Sequence, residues 1–364
     1  MPSRAANSVH VMKMCAAFAA AGHEVTLAVR STVASEHRRA DPFRFYNVPS
    51  SFALVRFAYP SLPLGLGEYL WAWAALRFAR SYRPDLVYGR SALGCLIAAR
   101  RGFSCIYEAH KTVSAMGRVP AAAARRLLAH RNLLRMIVLS RALADEFHES
   151  HGVDPDRMVV AYNGADPPGD TAPWQAPVAS DGHLKVGYVG QLYPGKGIEL
   201  IAQIAPACPW AHFFVAGGGS ADVATWTERC SSYDNLTLLG HLPQDRLDAF
   251  RAAMDVLLVP PRAVVGVAGG AGFSQALSPP LKLFEALASG KPTICSDFLD
   301  EVVTHDHEAL LCDPERPQQW ISALARLRDD DARRTQLAAA ALNRFNAEFS
   351  WNSRAQKVLQ GITM

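Results

Sequence analysis

Apolar residues along this chain alternate between short continuous blocks and longer stretches spaced at helical intervals, and the alternation runs from one end to the other. Near the start, a polar loop leads into a helix whose stripe is Val9, Met12, Ala16 and Ala19, ended by Gly22, and Glu24 to Val29 reads as a strand. In a doubly wound α/β domain a strand precedes that first loop, because ligands bind where strand turns into helix. The pattern here lacks it. Two explanations stay open: the first residue is an internal Met of a longer protein, or the domain folds without that central strand. Further strands fall near Ser51–Arg56, Leu86–Gly89 and Ser104–Glu108, with helices over about Leu66–Ser81 and from Gly94. This βαβ rhythm predicts a parallel sheet. The run Arg118–Ser140 reads as a basic helix, with Arg126/His130 and Arg131/Arg135 one turn apart, feeding a strand at Met136–Leu139. Such a helix either rests on anionic lipid or turns a solvated face outward while packing through Leu127, Leu128, Leu133 and Leu134.

The Pro-, Gly- and Ser-rich residues 167–184 cannot fill a core and read as a linker. A second α/β rhythm follows. It comprises the strand Lys185–Val189, the loop Gly190–Gly197, a helix through Ile198, Ile201 and Ile204, and the strand HFFVAGGG ending in Gly217–Gly219. A short strand LTLLG, the helix and strand of HLPQDRLDAFRAAMDVLLVPPR, and a Gly-rich loop over 263–278 suited to closing on a ligand come next. The strand PTICS, a helical stretch from Pro317 to Phe345 and a last helix complete the chain. The expected organisation is an N-terminal domain over 1–166, a linker over 167–184, a second α/β domain over 185–345, and a C-terminal helix over 346–364.

Composition adds little to this picture. With 364 residues, half of them hydrophobic, there is material for two cores. The net charge of +4 permits an anionic partner, but Lys and Arg are dispersed and no nucleic acid is called for. Seven Cys, odd in number and without a C-x-x-C pair, suit reduced buried thiols in a cytoplasmic protein. No apolar run reaches the roughly 18 residues of a membrane span.

The stretch with the most chemistry is Ser278–Pro292, SPPLKLFEALASGKP. Ser278 suits a helix cap, Pro279 the first helical position, and Gly290 with Pro292 the stop. Because Pro279 and Pro280 lack amide hydrogens, the donors at the helix mouth are the amides of Leu281 and Lys282, at the positive end of the dipole. Lys282, Glu285 and Ser289 share one stripe of an otherwise apolar helix. An ammonium one turn from a carboxylate suits a ligand with a diphosphate at one end and vicinal hydroxyls at the other, such as a nucleotide sugar. The alternative is a Lys282/Glu285 ion pair on a solvated face. In the Gly190–Gly197 loop, Gly190, Gly195 and Gly197 allow close backbone approach to a ligand, and Lys196 sits where the helix opens. The loop is not a P-loop, since no Ser or Thr follows the Lys. His110 ends a strand at the carboxyl edge where such sheets bind ligands.

With VLSRALADEF, YNGADP, GQLYPGKG, FFVAGGG, GHLPQDRLDAFRAAMDVLLVP, SPPLKLFEALASGKP and the terminal FSW helix in one order, the chain resembles the family 4 (group 1) retaining glycosyltransferases over nearly its whole length. The resemblance implies an α/β, GT-B fold of two facing Rossmann-like domains, the second binding the nucleotide sugar and the C-terminal helix packing back on the first. It implies that Lys196 contacts the donor diphosphate, that the Leu281 and Lys282 amides receive those phosphates, and that Glu285 accepts from the ribose hydroxyls. Gly190, Gln191 and Gly218 would line the donor, His110 would stand near the donor sugar, and Asn7 and Ser8 would lie in the loop facing donor phosphates and acceptor. No cofactor and no metal is implied. The implied partners are a nucleotide-diphosphate sugar, a glycan or polyprenyl-linked acceptor, and peripheral contact with an anionic membrane. Two site residues depart from the pattern. Leu277 stands where the family often has a first glutamate, and Gln191 where many members have Arg. A catalytically impaired binding partner is therefore the rival reading, while a Rossmann dehydrogenase fares worse because no G-x-G-x-x-G follows a strand.

Overall fold

In the computed structural model, which describes residues 6–31, 41–58, 62, 66–169, 172–177, 182–265, 273–274 and 277–362, the chain divides into two compact units. The first holds residues 1–164 and 351–364, the second residues 165–350. The first unit runs α1 (Ala6–Ala20), β1 (Thr26–Ser31), α2 (Pro42–Phe45), β2 (Ala53–Ala58), α3 (Leu66–Tyr82), β3 (Val87–Gly89), α4 (Ala92–Arg100), β4 (Cys105–Ala109), α5 (Arg118–Leu128), β5 (Leu133–Val138), α6 (Arg141–His151) and β6 (Met158–Val160). All its strand pairs are parallel, but they form two sheets, β1–β2 and β3–β4–β5–β6. Among the described residues no strand joins β1 to β3.

Helix α1 connects these sheets. Met14, Ala17 and Phe18 pack with Ile106 and Ile137 of the larger sheet, while Met12, Cys15 and Ala16 pack with Tyr46 and Phe52 beside the smaller one. The expected stripe is thus only partly right: Val9 is exposed, and burial runs continuously from Met12 to Phe18, as in a helix enclosed on all sides. Even Lys13 is buried, its ammonium donating to the Asn47 carbonyl at 2.9 Å.

Other boundaries move for local reasons. Helix α4 begins before Gly94 because Ser91 caps it, its hydroxyl accepting from the Gly94 amide. Helix α5 stops at Leu128, and Leu133 is already in β5, paired with Cys105. Arg131/Arg135 and Arg126/His130 are therefore not helical neighbours, and Leu133 and Leu134 belong to the sheet. The side chain of Asn132 fixes the turn by donating to the Ala99 carbonyl at 2.7 Å.

The second unit runs β7 (Leu184–Val189), α7 (Ile198–Ile204), β8 (Ala211–Ala216), α8 (Ser220–Arg229), β9 (Leu236–Gly240), α9 (Gln244–Ala252), β10 (Val256–Val259), β11 (Val264–Val265), β12 (Phe273–Ser274), α10 (Leu281–Ala288), β13 (Thr293–Ser296), β14 (Leu310–Cys312), α11 (Pro317–Asp329) and α12 (Asp331–Arg344). Six parallel strands stand in the order β14–β13–β10–β7–β8–β9. One core cluster runs under this sheet from Val186 and Phe213 to Leu310, closed by Trp320 and Leu324 of α11. The long C-terminal helical stretch breaks at Asp330, whose carboxylate caps α12 through the Arg333 amide. A π-helical turn over Phe345–Phe349 ends the unit, and α13 (Trp351–Leu359) belongs to the first.

The proline-rich segment expected as a linker has contacts of its own in the second unit. Trp174 packs edge-on against Phe214 and Phe250, and the Gly169 amide donates to Asp248. Most of the Gly-rich loop, 266–272 and 275–276, lies outside the described residues, as does the very start of the chain. All seven cysteines are free and buried.

Candidate active site

In the second unit the strand order reverses at β7 and β10, and in open parallel sheets ligands sit beyond the carboxyl ends of the strands at that point. The loop after β7 is held by the side chain of Tyr188. The Tyr188 hydroxyl lies 2.8 Å from the Gln191 carbonyl and 3.0 Å from that of Lys196. Burial lowers the Lys196 ammonium from its ordinary range. Gln191 is exposed. The glycines serve the protein as much as a ligand. A Cβ on Gly217, at φ +126°, would fall 1.9 Å from the Gly190 carbonyl oxygen, and one on Gly197 would fall 2.3 Å from Pro260. Gly218, at φ +80°, packs in the same way on Leu192.

Helix α10 starts at Leu281, two residues later than a Ser278 cap predicts. Pro280 occupies the cap position without a side-chain bond, so Pro279 is outside the helix. The Leu283 amide turns back to the Pro280 carbonyl, which leaves the amides of Leu281 and Lys282 as the first donors of the mouth. Gly290, at φ +60°, follows the last turn. Lys282 does pair with Glu285, at 2.9 Å, and the pair is half-buried, with the two side chains 36% and 22% exposed. Arg251 from α9, almost wholly buried, holds the same carboxylate while also pairing with Asp248 at 3.0 Å. Burial by itself would raise the Glu285 carboxyl, but Lys282 and Arg251 outweigh it and hold the group below its usual value. Among the described residues no hydrogen bond or ion pair links Lys196 to this group. Arg251 went unread in the sequence. Its signal is an Arg one turn from Asp248 on a helix whose neighbouring Phe250 and Leu247 are buried.

The first unit holds a second cluster, at the carboxyl ends of β3 and β4. His110 follows β4, and its Nε2 donates to Glu108 Oε1. His10 of α1 brings its own Nε2 to 2.8 Å from the same oxygen. Tyr88 of β3 donates to the other carboxylate oxygen, and Arg354 of α13 lies 3.2 Å from Oε1. Arg354 is itself fixed by the carbonyls of Tyr162 and Ala161. Glu108 is fully buried; desolvation pushes its carboxyl up, but Arg354 and the two histidines hold it well below the usual range. Burial lowers His110 as well, and His10 to about 4, so both rings are neutral near pH 7.

With Nε2–H committed to Glu108, the second nitrogen of His110 is left to accept a hydrogen bond. Asn7, exposed in the first turn of α1, accepts from Arg90, while Ser8 is buried. The ligand atoms of His10, Glu108 and His110 are close enough to one another to suit a metal ion. The Arg354 guanidinium on the shared carboxylate makes the set a poor cation site. Glu108 was legible as the lone acid in the otherwise apolar strand CIYEA, and Arg354 as a cation on the buried face of α13.

Residues 8–167 match the family described as Glycosyltransferase Family 4, and residues 183–330 match Glycosyl transferases group 1. The D-inositol 3-phosphate glycosyltransferase of Rhodococcus erythropolis is 29% identical over 74% of this chain, and the match spans 64% of that relative's length. Among solved structures, Anabaena HepE in complex with UDP superposes with a TM-score of 0.72 at 15% identity, covering 99% of this chain and 96% of its own. Sucrose-phosphate synthase from Thermosynechococcus elongatus superposes at 0.70 and 18%, covering 98% and 92%. Matched by one family description in each unit and by whole-chain likeness of fold, the chain belongs to the family 4, group 1 glycosyltransferases and has their GT-B fold.

Proposed function

We propose that this protein is a retaining glycosyltransferase that moves a sugar from a nucleotide diphosphate to a hydroxyl of a glycan or polyprenyl-linked acceptor. Its setting is cell-surface polysaccharide synthesis at the cytoplasmic face of a membrane, in peripheral contact with anionic lipid. The observation that carries the reading is Glu285, ionised and held between Lys282 and Arg251 beside the open amides of Leu281 and Lys282. A carboxylate has about four acceptor positions, so Glu285 can keep both cations and still accept from vicinal ribose hydroxyls. Lys282 reaches the diphosphate with its remaining donors, and Lys196 adds a second cation. Together with the helix mouth they stabilise the charge that grows on the leaving phosphate. That stabilisation needs no metal. His110, neutral and oriented by Glu108, accepts a hydrogen bond from the transferred sugar. Retention follows from attack on the face that the phosphate leaves, with the departing phosphate as base. UDP is the nucleotide to try first, since HepE was solved with UDP.

The second reading, a protein that binds a nucleotide sugar without turnover, is favoured by Leu277 and Gln191, which offer neither a carboxylate nor a guanidinium at their positions. Incubation with a panel of nucleotide sugars, followed by NMR of the released sugar, separates the two. The proposal expects slow donor hydrolysis with the α-anomer of an α-linked donor formed first, lost in Glu285→Ala. A β-anomer first would end the retaining reading, and binding with no hydrolysis or transfer would favour the impaired partner.

A further inference from the structure

Helix α3 carries a surface that its packing does not use. Gly67, Ala72 and Leu76 are buried, whereas Leu66, Tyr69, Leu70 and Trp73 are 51%, 46%, 44% and 41% exposed. At helical spacing these four and the exposed Arg77 and Arg80 fall within an arc of about 100°. The stripe is apolar and aromatic in its N-terminal half and cationic in its C-terminal half. The Arg77 guanidinium lies 5.7 Å from the Trp73 ring centre. The helix's one acid, Glu68, is off the stripe and already taken, by the Ser91 hydroxyl at 2.5 Å and by Arg30 at 3.4 Å.

The surroundings are charged with the same sign. Helix α4 packs against both α3 and α5. The three helices carry Arg77, Arg80, Arg100, Arg118, Arg125 and Arg126 against Glu68 alone. We propose that the α3 stripe seats the protein on an anionic lipid bilayer. Leu66 to Trp73 enter the boundary between headgroups and acyl chains, and Arg77 and Arg80 bind lipid phosphates. Amphipathic rings beside cations suit that boundary. A second copy of the chain suits it less. A twofold contact on this stripe would set Arg77 and Arg80 against their own copies or against leucine, with no acid on the stripe to meet them. Among the described residues no helix is long and apolar enough to cross a membrane, so the contact is with its surface. Helix α5, whose exposed positions are Arg118, Val119, Arg125 and Arg126, then adds long-range attraction rather than the seat.

This inference builds on the proposed membrane-face acceptor, and its test is independent of it because vesicle binding needs neither donor nor turnover. The full chain is sedimented with vesicles of phosphatidylcholine alone or mixed with phosphatidylglycerol. Binding to the anionic vesicles, weakened by salt, is expected. It should fall by about tenfold or more in Leu70→Glu/Trp73→Glu and, separately, in Arg77→Glu/Arg80→Glu, since each replaces two groups that hold the bilayer. Unchanged thermal melting of these surface variants shows that the loss is not unfolding, and Leu66→Ser/Tyr69→Ser repeats the test with smaller changes. No anionic-vesicle binding, or loss confined to Arg125→Glu/Arg126→Glu, overturns the assignment. A dimer in light scattering that Leu70→Glu/Trp73→Glu dissolves, without vesicle binding, would assign the stripe to a second copy.

Discussion

The two units of this chain share a parallel α/β rhythm but secure it differently. In the second, six strands form one sheet, and backbone shapes the site's edge through glycine turns after β7 and β8 and the amide mouth of α10, with the Arg251–Glu285–Lys282 charges brought together by neighbouring helices. In the first, the strands form two sheets, and the site is tied by side chains from distant segments: His10 on α1, Glu108 on β4 and Arg354 on α13. Where a sheet is continuous, its hydrogen bonds already fix the loops at its edge. Where it is interrupted, a buried charge network fixes the same edge, and the unit then depends on one carboxylate and its partners.

The sharpest way to break this comparison is to remove a charge from that network. Arg354→Ala leaves Glu108 buried without its guanidinium and should cost about 3–5 kcal/mol. In calorimetry the first unit should melt early, while the second holds its transition. A uniform shift of both would show that the network is not local to the first unit. Glu108→Gln/Arg354→Met should recover part of the loss.

In the second unit the equivalent weak point is backbone. Gly217→Ala would drive a Cβ into the Gly190 carbonyl, and it should cost about 3 kcal/mol and lower the second transition alone. A neutral result would mean that the turn relaxes freely and that the glycines there are not structural.

The smallest effect is acidification. Because burial holds His10 near 4, below its ordinary 6.5, the unfolded chain takes up a proton that the folded one refuses. Stability should be full above pH 6.5 and fall steadily toward pH 4, by about 2 kcal/mol at pH 5. His110 and Glu108, both shifted downward, act in the same direction, Glu108 only below its ordinary range. Chemical denaturation at intervals of pH measures the slope, and His10→Asn should flatten it.

Much of this was legible in the residues. The apolar blocks locate the strands to within a few positions, and Gly290 and the paired prolines mark both ends of α10. What escaped was long-range. Nothing local tells that Arg251 and Lys282 share one carboxylate, or that Arg354 lies on Glu108 across most of the sequence. The α5 error has the same origin: a helical pattern continuing past Leu128 yields to pairing with β4, which spacing along the chain does not encode.

The central claim is that the mouth of α10, with Glu285 set between two cations, binds a nucleotide diphosphate. Titration calorimetry of the full chain with UDP, GDP, ADP and CMP tests it most directly. The account predicts selective binding of one diphosphate and its loss by about tenfold or more in Glu285→Ala, where two ribose hydrogen bonds to a charged group disappear. Binding of none of the four, or equal binding by Glu285→Ala, would contradict it.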